Sequence, residues 1–233
     1  YPVADGGFGQ SGEDFLRQQT DFIVPESASA NLAPIQNELL TGTGGGNSVN
    51  ENLRKNGDTI QCDWYNASLR DVSGNVVGAI SLVDDITSRK VAEDEIRNLA
   101  FYDHLTGLPN RRLLIDRVRQ AMASSTRSAK YSALLFLDLD NFKTLNDTLG
   151  HDLGDLLLQQ VASRISSCVR KGDTVARLGG DEFVVMLEEL SEFLQEAVMQ
   201  TEAVGLKILA AFNQPFQLDT YEHISSTSIG VTL

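Results

Sequence analysis

Apolar residues in the first part of the chain alternate with polar residues in the way typical of β-strands. Ile60, Cys62 and Trp64 fall on one strand face, and the turn sequence NGD at 56–58 precedes them. A β-branched run, VVGAISLV at 76–83, has the length of a strand rather than of a helix. We therefore predict a three-stranded meander from the segments 49–53, 60–64 and 76–83.

A helical spacing follows the meander. Ala92, Ile96 and Leu99 stand at i, i+4 and i+7 within a helix predicted from Thr87 to Phe101. Two interpretations remain open. The helix is either a linker packed on a neighbouring domain, or a signalling helix that pairs across a dimer.

The second half of the chain alternates helices with strands. Leu114, Val118 and Met122 predict one amphipathic helix, and a stripe starting at Leu153 predicts another over 153–169. Between these helices, YSALLFLDLDNF reads as an apolar strand that ends in two aspartates. The expected fold class is α+β.

Two further strands, TVARL at 174–178 and FVVML at 183–187, are joined by GGDE. Gly179 and Gly180 suit a tight hairpin because glycine adopts positive φ without steric penalty. A carboxylate of Asp181 or Glu182 at its tip can meet Asp138 on the neighbouring strand. Carboxylates held together repel unless a cation joins them, and oxygen ligands suit Mg²⁺ or Mn²⁺. The alternative is an ordinary solvated hairpin tip.

The composition of the chain argues against some classes of function. The chain has 233 residues, 42% of them hydrophobic, and a net charge of −13. That charge argues against binding a nucleic acid polymer, which needs a basic surface. The two cysteines lack metal-ligand spacing, and no apolar run approaches the ~20 residues of a membrane span. We therefore expect a cytoplasmic location.

The meander and the stretch DDITSRKVAEDEI resemble the C-terminal part of a PAS sensor domain. The resemblance implies a partial sensor domain over residues 1–86 and a linker helix over 87–101. No ligand is assigned to it. Cys62 is read as a small buried hydrophobe, with a reactive flavin partner as the alternative.

Three motifs in order, DHLTGLPNRR, LDLDNFKTLNDTLGHDLGD and RLGGDEF, resemble the GGDEF family of diguanylate cyclases. The resemblance covers the chain from about residue 99 and places a cyclase domain at 102–233. It implies an antiparallel sheet flanked by helices, related to nucleotide cyclase and polymerase palm domains. It also implies synthesis of cyclic di-GMP from two GTP with release of pyrophosphate.

The resemblance assigns roles to residues at matching positions. Asp138, Asp181, Glu182 and the main-chain carbonyl of Leu139 would hold the metal. Asp181 would also activate the attacking 3′-hydroxyl, with Glu182 assisting. The residues expected to contact substrate phosphates through main-chain amides are Asn141, Phe142, Lys143, Gly179 and Gly180.

Asp155 occupies the guanine-reading position of the family, with Asn146 as its partner and His151 nearby. Guanine offers adjacent N1–H and 2-amino donors that one carboxylate can accept together, whereas adenine does not. The alternative is that Asp155 merely favours the dipole in the first turn of a helix.

Arg170 and Asp173, in RKGD, match the family's inhibitory product site, and a polar helix exit would look the same. We expect Arg170→Ala to raise the cyclic di-GMP concentration needed for half inhibition. Because cyclic di-GMP has a two-fold axis, the simplest enzyme is a homodimer that brings two GTP half-sites together.

The chain departs from the family pattern at its end, SIGVTL, where the family continues into a helix and strand that carry a basic triphosphate clamp. The preceding stretch resembles cyclase domains that stand before an EAL phosphodiesterase domain. Two rival functions stay open beside the PAS-regulated cyclase. One is a catalytically silent sensor of GTP or cyclic di-GMP, and the other is a dimerisation scaffold.

Overall fold

The computed structural model describes residue 41, residues 46–54 and residues 56–233. These residues form two compact units that divide between Glu95 and Ile96. The predicted sensor domain spans residues 1–86, and its part before residue 46 lies outside the described residues except for residue 41.

The first unit contains a three-stranded antiparallel sheet in the order β1 (Gly46–Leu53), β2 (Thr59–Arg70) and β3 (Val76–Asp85). All three predicted strands are confirmed. Tight turns join them, with Gly57 and Gly74 at φ values of 89° and 87°. Ile60 and Cys62 of β2 are buried on one face.

Helix α1 spans Thr87–Phe101, the predicted bounds. The carboxylate of Asp85 accepts hydrogen bonds from the main-chain N–H and the hydroxyl of Thr87, at 3.0 and 2.6 Å, and so holds the start of the helix. None of its residues is buried, and Ile96 and Leu99 are 66% and 67% exposed.

The second unit is built on a four-stranded antiparallel sheet in the order β5 (Thr174–Gly179), β6 (Glu182–Leu187), β4 (Ala133–Leu139) and β9 (Thr227–Thr232). Four helices accompany it: α2 (Arg111–Ser128), α3 (Phe142–Leu149), α4 (His151–Cys168) and α5 (Leu194–Phe212). A small hairpin joins β7 (Phe216–Leu218) to β8 (Tyr221–His223). The antiparallel sheet with flanking helices agrees with the predicted α+β class.

The two faces of this sheet are covered differently. Leu135, Leu137 and Leu139 of β4 point into the main core, which includes residues of α3, α4 and α5. The opposite face carries a smaller cluster in which Leu114 and Ala121 of α2 join residues of β5 and β6. Alternate residues of β4 therefore face different surroundings, as the two-residue period of a strand requires.

The helix predicted over 153–169 is longer at its start. It begins at His151 and ends at Cys168, and a separate helix, α3, precedes it. Gly150 separates the two helices with a φ of 89°, a conformation that favours glycine. Among the described residues, no helix combines the length and apolar character needed to cross a membrane.

Candidate functional site: an acidic strand edge beside a helix pair

Two carboxylates meet across the central strands of the sheet. Asp138, near the end of β4, pairs directly with Glu182, the first residue of β6. Directly opposed residues of an antiparallel pair have Cβ atoms about 5 Å apart. Asp181 adjoins Glu182 at the hairpin tip. The strand register therefore places one of the two hairpin carboxylates, Glu182, opposite Asp138.

Two glycines form the turn of the hairpin. Gly179 and Gly180 adopt φ values of 141° and 54°, as predicted. Arg177 holds the turn closed by donating from Nε and Nη2 to the carbonyl oxygen of Gly180, at 3.0 and 2.7 Å. The position of Asp181 and Glu182 thus depends on an arginine to which sequence reasoning gave no role.

The same arginine joins the hairpin to the DHLTGLPNRR segment. Its Nη1 lies 2.9 Å from Oδ1 of Asp103, in an ion pair that is only 10% and 16% exposed. Burial acts to raise the pKa of Asp103, but hydrogen bonds from Thr106 and the ion pair with Arg177 outweigh it and leave that pKa lowered. The motif is visible in the sequence, whereas its contact with the hairpin is not.

Several negative charges lie close to Asp138 at this strand edge. The pKa of Asp138 is raised, first by partial desolvation and then by the negative charges of Asp181, Glu182 and Asp140. Asp140 is already engaged, because the hydroxyls of Ser226 and Ser228 donate to its two carboxylate oxygens at 2.6 and 2.9 Å. Asp138 therefore carries the repulsion that a cation would relieve.

The donor set fits a divalent cation only as a partial site. Asp138 and Glu182 face each other across the strand pair and offer the oxygen ligands that Mg²⁺ and Mn²⁺ prefer. However, no group of three or more acidic, histidine or cysteine side chains is arranged to hold a metal ion among the described residues. The remaining ligands would have to come from main-chain oxygens, water or substrate phosphates.

The start of α3 presents main-chain donors close to this edge that have no partner among the described residues. Asn141 has a φ of 60° and its side chain makes no capping hydrogen bond. The first main-chain N–H of the helix to find a helical acceptor is that of Leu145, which donates to the carbonyl of Asn141. The N–H groups of Phe142 and Lys143 thus belong to the helix end that favours anions.

Asn146 lies on α3 and faces Gly154 on α4. A Cβ at Gly154 would lie 1.9 Å from Oδ1 of Asn146, so the glycine makes room for the carboxamide. That oxygen is buried and accepts no hydrogen bond from any of the described residues. Sequence reasoning missed Gly154, although a glycine inside a helix is the kind of signal that indicates a packing or functional reason.

Asp155 and His151 lie on the same helix and are exposed. Because α4 begins at His151, Asp155 stands beyond its first turn, whose acidic residue is Asp152. The placement of Asp155 in the first turn was wrong. The helix dipole acts mainly within that turn, so it gives a weaker reason for an aspartate at this position.

Arg170 and Asp173 form the expected pair at a separate place. Nε of Arg170 lies 3.2 Å from Oδ1 of Asp173, whose side chain is only 4% exposed, and the guanidinium also donates to the carbonyl of Glu188. Burial raises the pKa of Glu188, and Asp173 is among the negative charges that add to this effect. The arginine is 58% exposed, so it is the accessible member of the pair.

Cys62 lies in the first unit. Burial raises the pKa of its thiol to about 11, and the neighbouring Asp85 adds to the effect. A thiol with such a pKa is uncharged and unreactive at neutral pH, which favours the interpretation as a buried hydrophobe.

The fold and the site together define an α+β domain with an acidic site at one end of an antiparallel sheet. The profile described as "Diguanylate cyclase, GGDEF domain" matches residues 100–233. The chain belongs to the GGDEF family.

Relatives agree with this membership. The chain is 46% identical over 147 residues to the bifunctional diguanylate cyclase/cyclic di-GMP phosphodiesterase MucR of Pseudomonas aeruginosa. The aligned residues make up 63% of this chain and 21% of MucR. The chain is 38% identical over 149 residues to the cyclic di-GMP phosphodiesterase PdeR of Escherichia coli, covering 64% of this chain and 21% of PdeR. The chain thus spans about a fifth of the length of these relatives.

A solved structure shares the fold. The GGDEF domain of the Pseudomonas aeruginosa protein TpbB, also called YfiN, superposes with a TM-score of 0.53 at 37% identity. The superposition covers 56% of this chain and 73% of that one.

Proposed function

We propose that the chain is a diguanylate cyclase, which condenses two GTP into cyclic di-GMP and releases pyrophosphate. The observation that carries the proposal is the direct pairing of Asp138 with Glu182, beside Asp181, in a chain of the GGDEF family. Carboxylates concentrated at a strand edge are suited to metal-assisted phosphoryl chemistry.

Asp138, Asp181, Glu182 and the carbonyl of Leu139 would hold Mg²⁺ or Mn²⁺. When bound, the metal lowers the pKa of the attacking hydroxyl and neutralises charge on the phosphates. Asp181, at the hairpin tip, accepts the proton of the 3′-hydroxyl. Glu182, next to Asp181, would help to hold the second metal ion or the phosphates.

Main-chain amides receive the phosphates. The N-terminus of α3 at Asn141, Phe142 and Lys143 supplies donors aligned with the positive end of the helix dipole. Gly179 and Gly180 add amides without a Cβ in the way of an approaching oxygen.

Asp155 reads guanine by accepting from N1–H and the 2-amino group, and Asn146 orients the base from α3. His151, at the start of α4, would lie near the same bound guanine. The buried and unsatisfied oxygen of Asn146 supports a ligand-binding role for that carboxamide, because such orphaned polar atoms are rare in native structures.

Regulation follows from the other features. Arg170, which pairs with Asp173, binds cyclic di-GMP, and this binding inhibits turnover. The exposed apolar residues of α1 support a homodimer in which a PAS-like unit sets how often two half-sites meet. The EAL domain expected downstream stays a prediction, in keeping with the bifunctional name of MucR.

A second candidate is a silent GGDEF module that senses GTP or cyclic di-GMP. Two observations favour it: the absence of a preformed three-ligand metal group among the described residues, and the similarity to PdeR, which is named a phosphodiesterase.

The test is incubation with GTP and Mg²⁺ followed by chromatography of the products. We expect cyclic di-GMP from the parent chain and none from Asp181→Ala. Asp116→Ala is the matched control, since Asp116 is an exposed carboxylate on α2 whose hydrogen-bond partner is the neighbouring Gln120. GTP or cyclic di-GMP that binds without turnover would support the sensor instead.

A further inference from the structure

The segment LDLD at 137–140 brings two aspartates to the end of β4. Asp138 and Asp140 are two residues apart, and successive side chains of a strand alternate between its faces. Both carboxylates therefore stand on the same side of the chain, beside the acidic edge. The strand period alone does not separate their roles, whereas their hydrogen bonds do.

The two carboxylates have different partners around the start of β9. Ser228 lies directly opposite Asp138 in the strand register. Its hydroxyl nevertheless donates to Oδ1 of Asp140 at 2.9 Å, and the hydroxyl of Ser226 donates to Oδ2 at 2.6 Å. Among the described residues, none donates a hydrogen bond to the side chain of Asp138. Asp138 is therefore open to a ligand, while both oxygens of Asp140 are held by the protein.

The main chain of Asp140 is held by the same segment. Its N–H donates to the carbonyl oxygen of Ser226 at 3.0 Å, just beyond the last strand pair, which joins Leu139 to Thr227. The hydroxyl of Thr227 donates to the carbonyl oxygen of Asp138 at 2.9 Å. The end of β4 is thus fixed to the start of β9 by side chains as well as by the sheet.

The turn that follows Asp140 needs such support. Asn141 has a φ of 60°, in the left-handed region that is uncommon for residues other than glycine. Conformations of this kind persist where the surrounding contacts determine them. Leu139 before the turn and Leu145 after it are both buried in the main core. Asp140 stands between these two anchored elements, so its hydrogen bonds set how β4 leads into α3.

Main-chain groups of the proposed nucleotide site lie on both sides of Asp140. The carbonyl of Leu139, proposed to hold the metal, immediately precedes it. The N–H groups of Phe142 and Lys143, proposed to receive phosphates, follow it at the start of α3. A shift of this turn by about 1 Å would move these groups relative to Asp138, and misplacements of that size can lower a rate about a hundredfold.

We propose that Asp140 is a positioning residue of the nucleotide site. Held by Ser226 and Ser228, it fixes the turn between β4 and α3 and binds neither the metal nor the nucleotide. The inference rests on the proposed function. It assigns different roles to the two aspartates of LDLD, because Asp138 is left for the ligand and Asp140 maintains the geometry.

Binding of 3′-deoxy-GTP in the presence of Mg²⁺ tests this role without turnover, since this ligand lacks the attacking hydroxyl. We expect the double variant Ser226→Ala, Ser228→Ala to bind it about tenfold more weakly, although the charge of Asp140 remains. Asp140→Ala should cause the same loss, and in the double-serine variant it should cause no further loss. Asp140→Asn should bind like the parent, because a carboxamide can accept from one hydroxyl and donate to the other.

The double variant Ser166→Ala, Ser167→Ala is the matched control. It also removes two hydroxyls, whose hydrogen bonds of 2.7 Å end on main-chain carbonyls of α4 itself. We expect it to bind 3′-deoxy-GTP like the parent. The single variants Ser226→Ala and Ser228→Ala each keep one hydrogen bond to Asp140 and should show smaller losses than the double-serine variant.

A loss of affinity in Asp140→Asn as large as in Asp140→Ala would overturn the inference, because it would indicate a charged metal ligand. Additive losses of Asp140→Ala and the double-serine variant would also overturn it. So would unchanged affinity in the double-serine variant, since a lower melting temperature alone marks a merely structural role.

Turnover separates the two proposals. A parent chain that binds 3′-deoxy-GTP but makes no cyclic di-GMP from GTP contradicts the cyclase alone. Product formation at the parent rate by the double-serine variant contradicts the role of Asp140 alone. A parent chain that does not bind 3′-deoxy-GTP contradicts both.

Discussion

At the scale of single residues, the ionised carboxylate of Asp138 weakens the fold instead of stabilising it. Its pKa is raised, so the folded state binds the proton more tightly than the unfolded chain does. The ionised carboxylate therefore destabilises the fold once the pH exceeds the pKa of the unfolded chain. A bound cation would reverse this effect.

We expect Asp138→Asn to stabilise the chain at pH 7 by about 0.5 kcal/mol, a small effect because the side chain is exposed and screened. The gain should disappear toward pH 3, where both states are protonated. Urea unfolding at the two pH values measures it. Added Mg²⁺ should stabilise the parent more than the variant. Equal stabilisation of both would contradict a metal role for Asp138.

Gly154 is a second residue whose importance comes from a neighbour. Gly154→Ala would place a Cβ 1.9 Å from Oδ1 of Asn146 and displace the carboxamide. We expect GTP affinity to fall about tenfold, while the melting temperature stays level or rises because alanine favours a helix by about 1 kcal/mol over glycine.

Two comparisons isolate this effect. Gly205→Ala is the matched control, because a Cβ there would meet Leu135 at an ordinary 3.7 Å. In an Asn146→Ala background, Gly154→Ala should cause no further loss of affinity. Additive losses would show that Gly154 acts through something other than Asn146.

At the scale of elements, the β5–β6 hairpin is held in place from outside. Arg177 connects the carbonyl of Gly180 to Asp103 in the segment between α1 and α2. The position of the hairpin carboxylates Asp181 and Glu182 thus depends on an ion pair that is largely buried, and such pairs are costly to break by removing one partner.

We expect Asp103→Asn to destabilise the second unit by about 2 kcal/mol at pH 7. Because the pKa of Asp103 is lowered in the folded state, its contribution is present above the pKa of the unfolded chain and is lost as the pH falls through the folded value. Urea unfolding should therefore show parent and variant converging in acid. A difference that persists unchanged at pH 2 would argue against the ion pair as its source.

The strands and helices follow closely from the sequence, since β4 has a strictly alternating burial pattern and α1 has its predicted bounds. The carboxylate pair was also predictable, because register along adjacent strands is set by alternation and the turn. The contact of Arg177 with Asp103, 74 residues apart, was not, since no local pattern encodes it. The start of α4 was missed because Gly150 both ends α3 and precedes α4.

At the scale of the whole molecule, the proposed homodimer depends on the exposed apolar residues of α1. Ile96 and Leu99 are two-thirds exposed on a helix with no buried residue. Apolar residues at this spacing gain by pairing with a second copy.

We expect the double variant Ile96→Glu, Leu99→Glu to self-associate more weakly in sedimentation experiments and to show a lower rate per chain, because two half-sites must meet. Asn98→Glu is the control, because it adds charge to the same helix at a position outside the apolar row of Ile96 and Leu99. A monomeric variant that turns over at the parent rate would exclude the dimer requirement.

Under the proposed function, the chain joins two GTP molecules and releases one pyrophosphate for each bond formed. The most direct measurement is the simultaneous quantification of cyclic di-GMP and pyrophosphate after incubation with GTP and Mg²⁺. We expect two pyrophosphates for each cyclic dinucleotide, and neither product without the divalent cation. GTP that remains intact while bound, or that is consumed without this ratio, would contradict it.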